Sequence, residues 1–235
     1  MTAIFRREFR TFFTSPIGYI ALALICFMGG LNFYTYNLQY GYSDLGYVFQ
    51  SLLSILIFVL PILTMRLFSE DKRQKTDQAL LTAPVSLTGI ALGKFFAALL
   101  MFAISILITI VFGVIIAFKV TPDWMVIIGN YIGLLMLGGT IIAVGLLISS
   151  LTESQFIAAV GTIAVSFLLI MVDQITTLLP NNAVVEAVAD FLSVSDRYSD
   201  FTLGIISYDN VIFFLTMQAL FLFLTVRVLD SKRWS

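Results

Sequence analysis

The chain has 235 residues, of which 60% are hydrophobic and only 11% are charged, and its formal net charge is −1. Soluble domains carry about 25% charged residues, so this composition excludes a soluble globular protein, and the lack of a basic domain excludes nucleic-acid binding. Histidine is absent and Cys26 is the one cysteine, which leaves neither a disulfide framework nor the usual ligands of a metal centre. Several apolar runs of about 20 residues instead predict an all-α protein that crosses a membrane several times.

Residues 2–13 predict an amphipathic helix ahead of the first span. Four aromatic residues share one helical face and three basic residues flank it: Phe5, Phe9, Phe12, Phe13, Arg6, Arg7 and Arg10. We expect this segment (1–15) to lie in the membrane interface, with an ordinary positively charged anchor as the alternative. No Ala-x-Ala-like cleavage site follows, so the first apolar run is expected to remain as an anchor. Ser15 and Pro16 predict an N-cap and a first helical residue that open span 1.

Six spanning helices are predicted, each long enough for a hydrocarbon core of about 30 Å. They cover residues 17–37, 48–66, 93–118, 125–150, 156–179 and 209–228, with tight links at 119–124 and 151–155. Of the 13 basic residues, all but Lys119 and Arg197 fall on one side of this arrangement. The positive-inside rule then places both termini in the cytoplasm, in agreement with an even number of spans.

Span 4 is rich in small residues at helical spacing: Gly129, Gly133, Gly138, Gly139 and Gly145. They predict a surface for close helix packing, which either slides or rotates as the protein works or is static. Apart from Asp209 at the first position of the last span, Asp173 is the one acid inside a predicted span, near its outer end, where headgroup water is expected to reach it. This scarcity of charge argues against an ion-driven pump, and the lack of histidine argues against an intramembrane protease.

The external segment 180–208 is acidic, and Arg197 is its one basic residue. Its apolar residues recur at helical spacing: Val184, Val188, Phe191 and Leu192. This pattern predicts one or two short helices that re-enter the outer leaflet, and a solvated loop is the alternative.

The densest charge lies between spans 2 and 3, in residues 67–92. Here "SEDKRQKTDQALLTAP" predicts a helix with Ser69 as N-cap, Glu70 and Asp71 in its first turn, and Pro84 at its end. Ser86 is expected to cap the helix that leads into span 3. A short cytoplasmic helix joined rigidly to two spans would pass force from a partner into the membrane, although the charge could also be only a topology signal.

The neighbouring stretch "TGIALGKFF" looks like a phosphate loop but departs from that motif. Thr88 stands where the first glycine belongs, and Phe95 stands where a magnesium-binding hydroxyl belongs. The chain is therefore not expected to bind ATP by itself.

The stretch "SEDKRQKTDQALLTAPVSLTGIALGKF" resembles the signature that follows span 2 in ABC-2-type transporter permeases, with acidic and basic residues, Gly-Thr, an acid, Leu-Leu and Pro. Four positions match: Thr76, Leu80, Leu81 and Pro84. Lys75 replaces the frequent glycine, and Gln78 stands where glutamate is common. "FRREFRTFFTSPIGYI" near the start, and "DRYSDFTLGIISYDNVIFF" with "FLFLTVRVLDSKRW" near the end, look like the gliding-motility-type permeases of that family.

The resemblance covers nearly the whole chain and implies a single permease domain over 1–235, with no catalytic, cofactor or metal site of its own. It implies an exporter of the bacterial inner membrane in which two ATPase subunits, holding ATP and magnesium, drive two permease subunits, identical or different. The implied ATPase-subunit interface comprises Glu70, Asp71, Lys72, Arg73, Thr76, Asp77, Gln78, Leu80, Leu81 and Pro84. The alternative is a membrane anchor of an ATP-driven mechanotransmission or gliding-type complex that acts on an external partner protein.

Overall fold

The apolar runs of the sequence form long helices in the computed structural model, which describes residues 1–76, 85–178 and 193–233. Within these ranges six helices are long and apolar enough to cross a membrane, and no strand occurs. The spans are Pro16–Gln39, Gly46–Arg73, Leu87–Ala117, Trp124–Leu151, Gln155–Leu178 and Tyr208–Arg233. The prediction of an all-α membrane protein with six spans is confirmed.

Local signals start these helices where the sequence places them. An N-terminal helix, Thr2–Thr14, ends at Ser15, which is the extended N-cap of span 1, and Pro16 takes the first helical position. Ser86 caps span 3 by accepting a 3.2 Å hydrogen bond from the backbone N–H of Gly89. Asp123 caps span 4 in the same way, with a 3.0 Å bond from the N–H of Met125.

Span 2 is longer than predicted and corrects one expectation. It contains Pro61, is interrupted at Met65, and continues as the short helix Arg66–Arg73, which we call the span 2 extension. Ser69 therefore lies inside a helix, where its hydroxyl donates to the Met65 carbonyl, and the prediction that it is an N-cap is wrong. For the same reason Glu70 and Asp71 do not lie in a first turn. A helix is already formed from Arg66 onward, directly after the apolar part of span 2, so no new helix begins at Ser69.

Two other spans also depart from regular α-helix. Span 1 ends in a π-helix, Phe33–Gln39, and span 3 is interrupted at Leu107, between Leu87–Ile106 and Ile108–Ala117. Neither irregularity is predicted from the sequence.

Span 4 is the centre of the bundle. It packs against spans 2, 3, 5 and 6, whereas span 1 packs against spans 2 and 3. Within their spanning windows, 72% of span 4 is buried inside the protein, against 22% of span 5. A displacement of span 4 would therefore be felt by most of the bundle.

The two ends of the bundle differ in composition. The N-terminal helix, the span 2 extension and the start of span 3 lie together, and we call this the basic end. At the opposite end a short helix, Val194–Thr202, packs on spans 4 and 5 and is capped by Ser193. We call it the external helix, because it lies in the segment that the sequence predicts to be external. The residues of the predicted re-entrant pattern lie outside the described residues: Val184, Val188, Phe191 and Leu192. Re-entry into a leaflet stays a prediction.

Candidate functional site: a charged joint at the basic end

A buried lysine holds three elements together at the base of the span 2–span 3 loop. Lys94, in the second turn of span 3, is only 1% exposed. Its Nζ lies 2.9 Å from Glu8 Oε1, 2.7 Å from Asp71 Oδ2 and 2.5 Å from the Leu67 carbonyl oxygen. An ammonium group has three donors, so all of them can be used here. We call the group formed by Lys94, Glu8, Asp71 and Arg7 the charged joint.

Glu8 brings the N-terminal helix into this joint. Besides Lys94 it accepts a 2.5 Å bond from Arg7, whose guanidinium also lies 3.6 Å from Asp71. Burial alone raises the pKa of Glu8, but Lys94 and Arg7 outweigh it and hold that pKa below its ordinary value of 4.5. A carboxyl whose pKa is lowered on folding stabilises the fold above the ordinary value, and this contribution is lost as the pH falls below it.

Aromatic rings pack against the cations of the joint and of the neighbouring Arg66 and give them an apolar surrounding of low dielectric constant. The Lys94 ammonium lies 5.0 Å from the centre of the Phe68 ring, and the Arg66 guanidinium lies 5.9 Å from the centre of the Phe12 ring. Arg66 also donates a 2.6 Å bond to Ser15 Oγ and lies 3.6 Å from Glu70. The span 2 extension is thus also tied to the corner between the N-terminal helix and span 1.

Ser149, near the end of span 4, fastens the other side of the span 2 extension. Its hydroxyl accepts bonds of 3.0 Å from the N–H groups of Phe68 and Ser69 and donates a 3.0 Å bond to the Met65 carbonyl. These two N–H groups lie near the start of the span 2 extension, where span 2 is interrupted, and they bond to span 4 instead of to carbonyls of their own helix. The Lys72 ammonium adds a hydrogen bond to the carbonyl of Ser150.

Part of the predicted ATPase-subunit interface packs against other residues of the same chain. Asp71 and Lys72 contact other elements of the same chain, and Glu70 is half-buried beside Arg66. Arg73 and Thr76 are exposed beyond them. The other predicted interface residues lie outside the described residues: Asp77, Gln78, Leu80, Leu81 and Pro84. A contact between any of these positions and a partner stays a prediction.

The span 2 extension ends just before Lys75, the position at which the signature that the sequence resembles frequently has glycine. Lys75 has a φ of +57°, in the left-handed region, and the N–H of Thr76 bonds the Asp71 carbonyl at 2.9 Å. This is the helix-terminating position that glycine usually takes, because glycine has no Cβ to strain. Lys75 therefore holds a left-handed backbone conformation that glycine would adopt without strain.

The N-terminal helix buries a stripe that lies beside the predicted aromatic face, and Phe12 belongs to both. Ile4, Glu8 and Phe12 are its buried residues, and it packs mainly against span 3. The other predicted aromatic residues, Phe5, Phe9 and Phe13, are half-buried and contact one another in sequence, with ring centres 5.9 and 5.1 Å apart. The three arginine side chains are more exposed: Arg6, Arg7 and Arg10. An interfacial position of this helix stays a prediction.

The five glycines of span 4 allow close approach by four other elements. A Cβ at Gly129 would lie 2.8 Å from the Phe201 carbonyl oxygen, and one at Gly133 would lie 2.7 Å from the Phe201 Cβ, both in the external helix. Gly138 faces Phe102 of span 3, Gly139 faces Gln218 of span 6, and Gly145 faces Thr64 of span 2. Close packing thus continues along span 4 from the opposite end toward the end where Ser149 lies. Whether these contacts slide during a working cycle stays a prediction.

Sequence reasoning missed three residues of this site: Glu8, Lys94 as its partner, and Ser149. Glu8 did give a signal, since it lies four residues from both Ile4 and Phe12 and so shares their helical face. An acid on a buried stripe requires a cation, and Lys94 between Gly93 and Phe95 is a cation in an apolar run. Ser149 gave no such signal.

Comparison with known proteins identifies a family. The sequence matches the family model described as ABC-2 family transporter protein over residues 2–234, which is nearly the whole chain. A search among curated proteins found no match.

Proposed function

Because the chain belongs to the ABC-2 family of transporter proteins, and so is a multi-pass transmembrane component of an ABC transporter, we propose that it is the permease subunit of an exporter driven by a separate ATPase subunit. ATP and magnesium belong to that subunit. The observation that carries the proposal is the charged joint: Lys94 connects the base of the span 2–span 3 loop to the N-terminal helix and to span 3. A force applied to this loop would therefore be transmitted to the N-terminal helix and to span 3.

The joint supports a specific route for the force. A partner that presses on residues 77–84 would move the span 2 extension, which is fastened to span 4 through Ser149 and Lys72. Span 4 packs against four other spans and, through Gly129 and Gly133, against the external helix. Motion at the basic end would therefore reach the opposite end through rigid packing contacts rather than through flexible loops.

We place this chain in a bacterial inner membrane with both termini in the cytoplasm, since eleven basic residues fall on the basic side and two on the other. It works with two ATPase subunits and a second permease subunit, identical or different.

A second candidate function follows from the external helix. This helix packs on span 4, the same helix that is fastened to the loop at the basic end. The chain would then resemble the gliding-motility-type permeases and pass ATP-driven motion to an external partner protein instead of exporting a substrate. A neighbouring gene for a large external-domain protein would favour this candidate.

The proposed division of labour predicts where ATP is hydrolysed. The chain produced alone in a foreign host should neither bind nor hydrolyse ATP, because no phosphate loop exists in its sequence. The same tagged chain, extracted with mild detergent from its source membranes, should bring an ATPase with it. Saturable ATP binding by the chain alone, or source material without an associated ATPase, would overturn the proposal.

The orientation predicts which surface positions react from outside. In a Cys26→Ser background, Ser199→Cys in the external helix should be labelled in intact cells by an impermeant thiol reagent. Gln74→Cys should be labelled only after the membrane is opened. Both side chains are exposed on the protein, so access across the membrane decides the result. Labelling in the reverse pattern would invert the topology.

A further inference from the structure

A long apolar groove of about 620 Å³ runs between spans 3, 4 and 6. It lies away from the charged joint, and neither proposed function uses it. Its walls are mainly hydrocarbon, with Leu92 and Phe96 from span 3, Leu135 from span 4, and Ala219 and Leu222 from span 6. A groove on the side of a membrane-spanning bundle faces lipid, so its natural occupant is an acyl chain.

The length of the groove matches one leaflet. Along span 6 its lining extends from Asp230 to Leu215, which is about 22 Å of helix, and the part below the charged residues, from Val226 to Leu215, is about 16 Å. Along span 3 it extends from Thr88 to Leu99, or about 16 Å. Half of a hydrocarbon core is about 15 Å. The groove therefore begins at the basic end and finishes near the middle of the membrane, as an acyl chain of that leaflet does.

Two opposite charges mark the mouth of the groove. Arg227 and Asp230 both line it, three residues apart on one face of span 6. The Arg227 guanidinium lies 5.1 Å from the centre of the Phe223 ring, another lining residue. Within the described side chains neither Arg227 nor Asp230 forms an ion pair. A headgroup that carries a phosphate next to an ammonium would complement both charges.

We propose that this groove binds one phospholipid with an ammonium headgroup, such as phosphatidylethanolamine. One acyl chain fills the groove, the phosphate contacts Arg227 and the ammonium contacts Asp230. An anionic lipid such as phosphatidylglycerol would satisfy Arg227 but would leave Asp230 without its cation, so it should bind less well. This site is independent of the exported substrate.

The test is a titration of the full chain in detergent with dioleoyl phosphatidylethanolamine and, in parallel, with dioleoyl phosphatidylglycerol, followed by native mass spectrometry. We expect a one-to-one complex that favours phosphatidylethanolamine. Arg227→Gln should weaken binding of both lipids by about fivefold to tenfold, since one charge-assisted contact is lost. Asp230→Asn should weaken phosphatidylethanolamine alone and so remove the preference.

Filling the groove tests the acyl-chain contact separately. Ala219→Trp places an indole inside the groove and should abolish the complex with either lipid. Leu220→Trp is the matched control, because Leu220 is 49% exposed and does not line the groove. Gel filtration checks that both variants fold. If Ala219→Trp does not fold, the Arg227 and Asp230 variants decide whether the groove binds the lipid. The proposal would be overturned if the two Trp variants bound lipid equally well or if the chain preferred phosphatidylglycerol. It would also be overturned if Ala219→Trp impaired pairing of the permease subunits and left lipid binding intact.

Discussion

Replacing Lys94 with methionine should lower the free energy of unfolding by about 3–5 kcal/mol, the cost of removing one partner from a buried ion pair. Glu8 and Asp71, whose side chains are 10% and 16% exposed, would then face each other with only the half-exposed Arg7 as a cation. Thermal unfolding of the purified chain in detergent measures this change. The same variant should hydrolyse ATP in its complex without transport, because the loop is no longer fastened to the N-terminal helix.

Two comparisons test whether the loss of stability in Lys94→Met results from the loss of its charge. Lys119→Met removes an exposed lysine at the opposite end and should change stability by less than about 0.5 kcal/mol. The triple variant Glu8→Gln, Asp71→Asn, Lys94→Met removes the unpaired buried charges and should recover about half or more of the lost stability. If Lys94→Met unfolds at the same temperature as Lys119→Met, the charged joint does not hold the basic end together.

Changing both Leu80 and Leu81 to serine should separate the permease from its ATPase subunit. These residues lie outside the described part of the structure, so the expectation rests on the "LLTAP" pattern. Burial of two leucines in a partner's groove contributes about 1.5–3 kcal/mol each, so affinity should fall by about a hundredfold or more. Flanking charges such as Arg73 add only steering and a weak attraction that salt screens. Less ATPase should co-purify with the variant, and its hydrolysis should no longer respond to the permease.

The matched control is Leu203→Ser, which changes a leucine that is 68% exposed at the opposite end. It should leave assembly and ATP hydrolysis unchanged. Both variants should insert normally, since the sequence places none of these positions within a predicted span. Full assembly and full transport by the double serine variant would mean that residues 77–84 form only a charged topology signal.

The basic end shows why some local predictions succeeded and one failed. Ser86 starts a helix as predicted because its side chain accepts from a backbone N–H three residues away. Ser15 with Pro16 also starts a helix as predicted, but Ser15 makes no side-chain capping bond, and the fixed φ of Pro16 favours the helical start. Ser69 has the same chemistry and the same polar context, yet it lies within a helix. What differs is Ser149, which takes over the N–H groups of Phe68 and Ser69 from another span. A cap motif read from sequence cannot include such a remote acceptor.

The sequence by itself determined that this chain is a six-span membrane protein of the ABC-2 family, because span length, caps and the signature are contained in short continuous segments. Only the tertiary structure decided which charges meet. Lys94 pairs with Glu8 across 86 positions and with Asp71 across 23, and the glycines of span 4 receive side chains from several elements. Periodicity shows which side of a helix is buried, but the choice of partner depends on how the helices pack, because a buried charge accepts whichever opposite charge the fold brings within hydrogen-bonding distance.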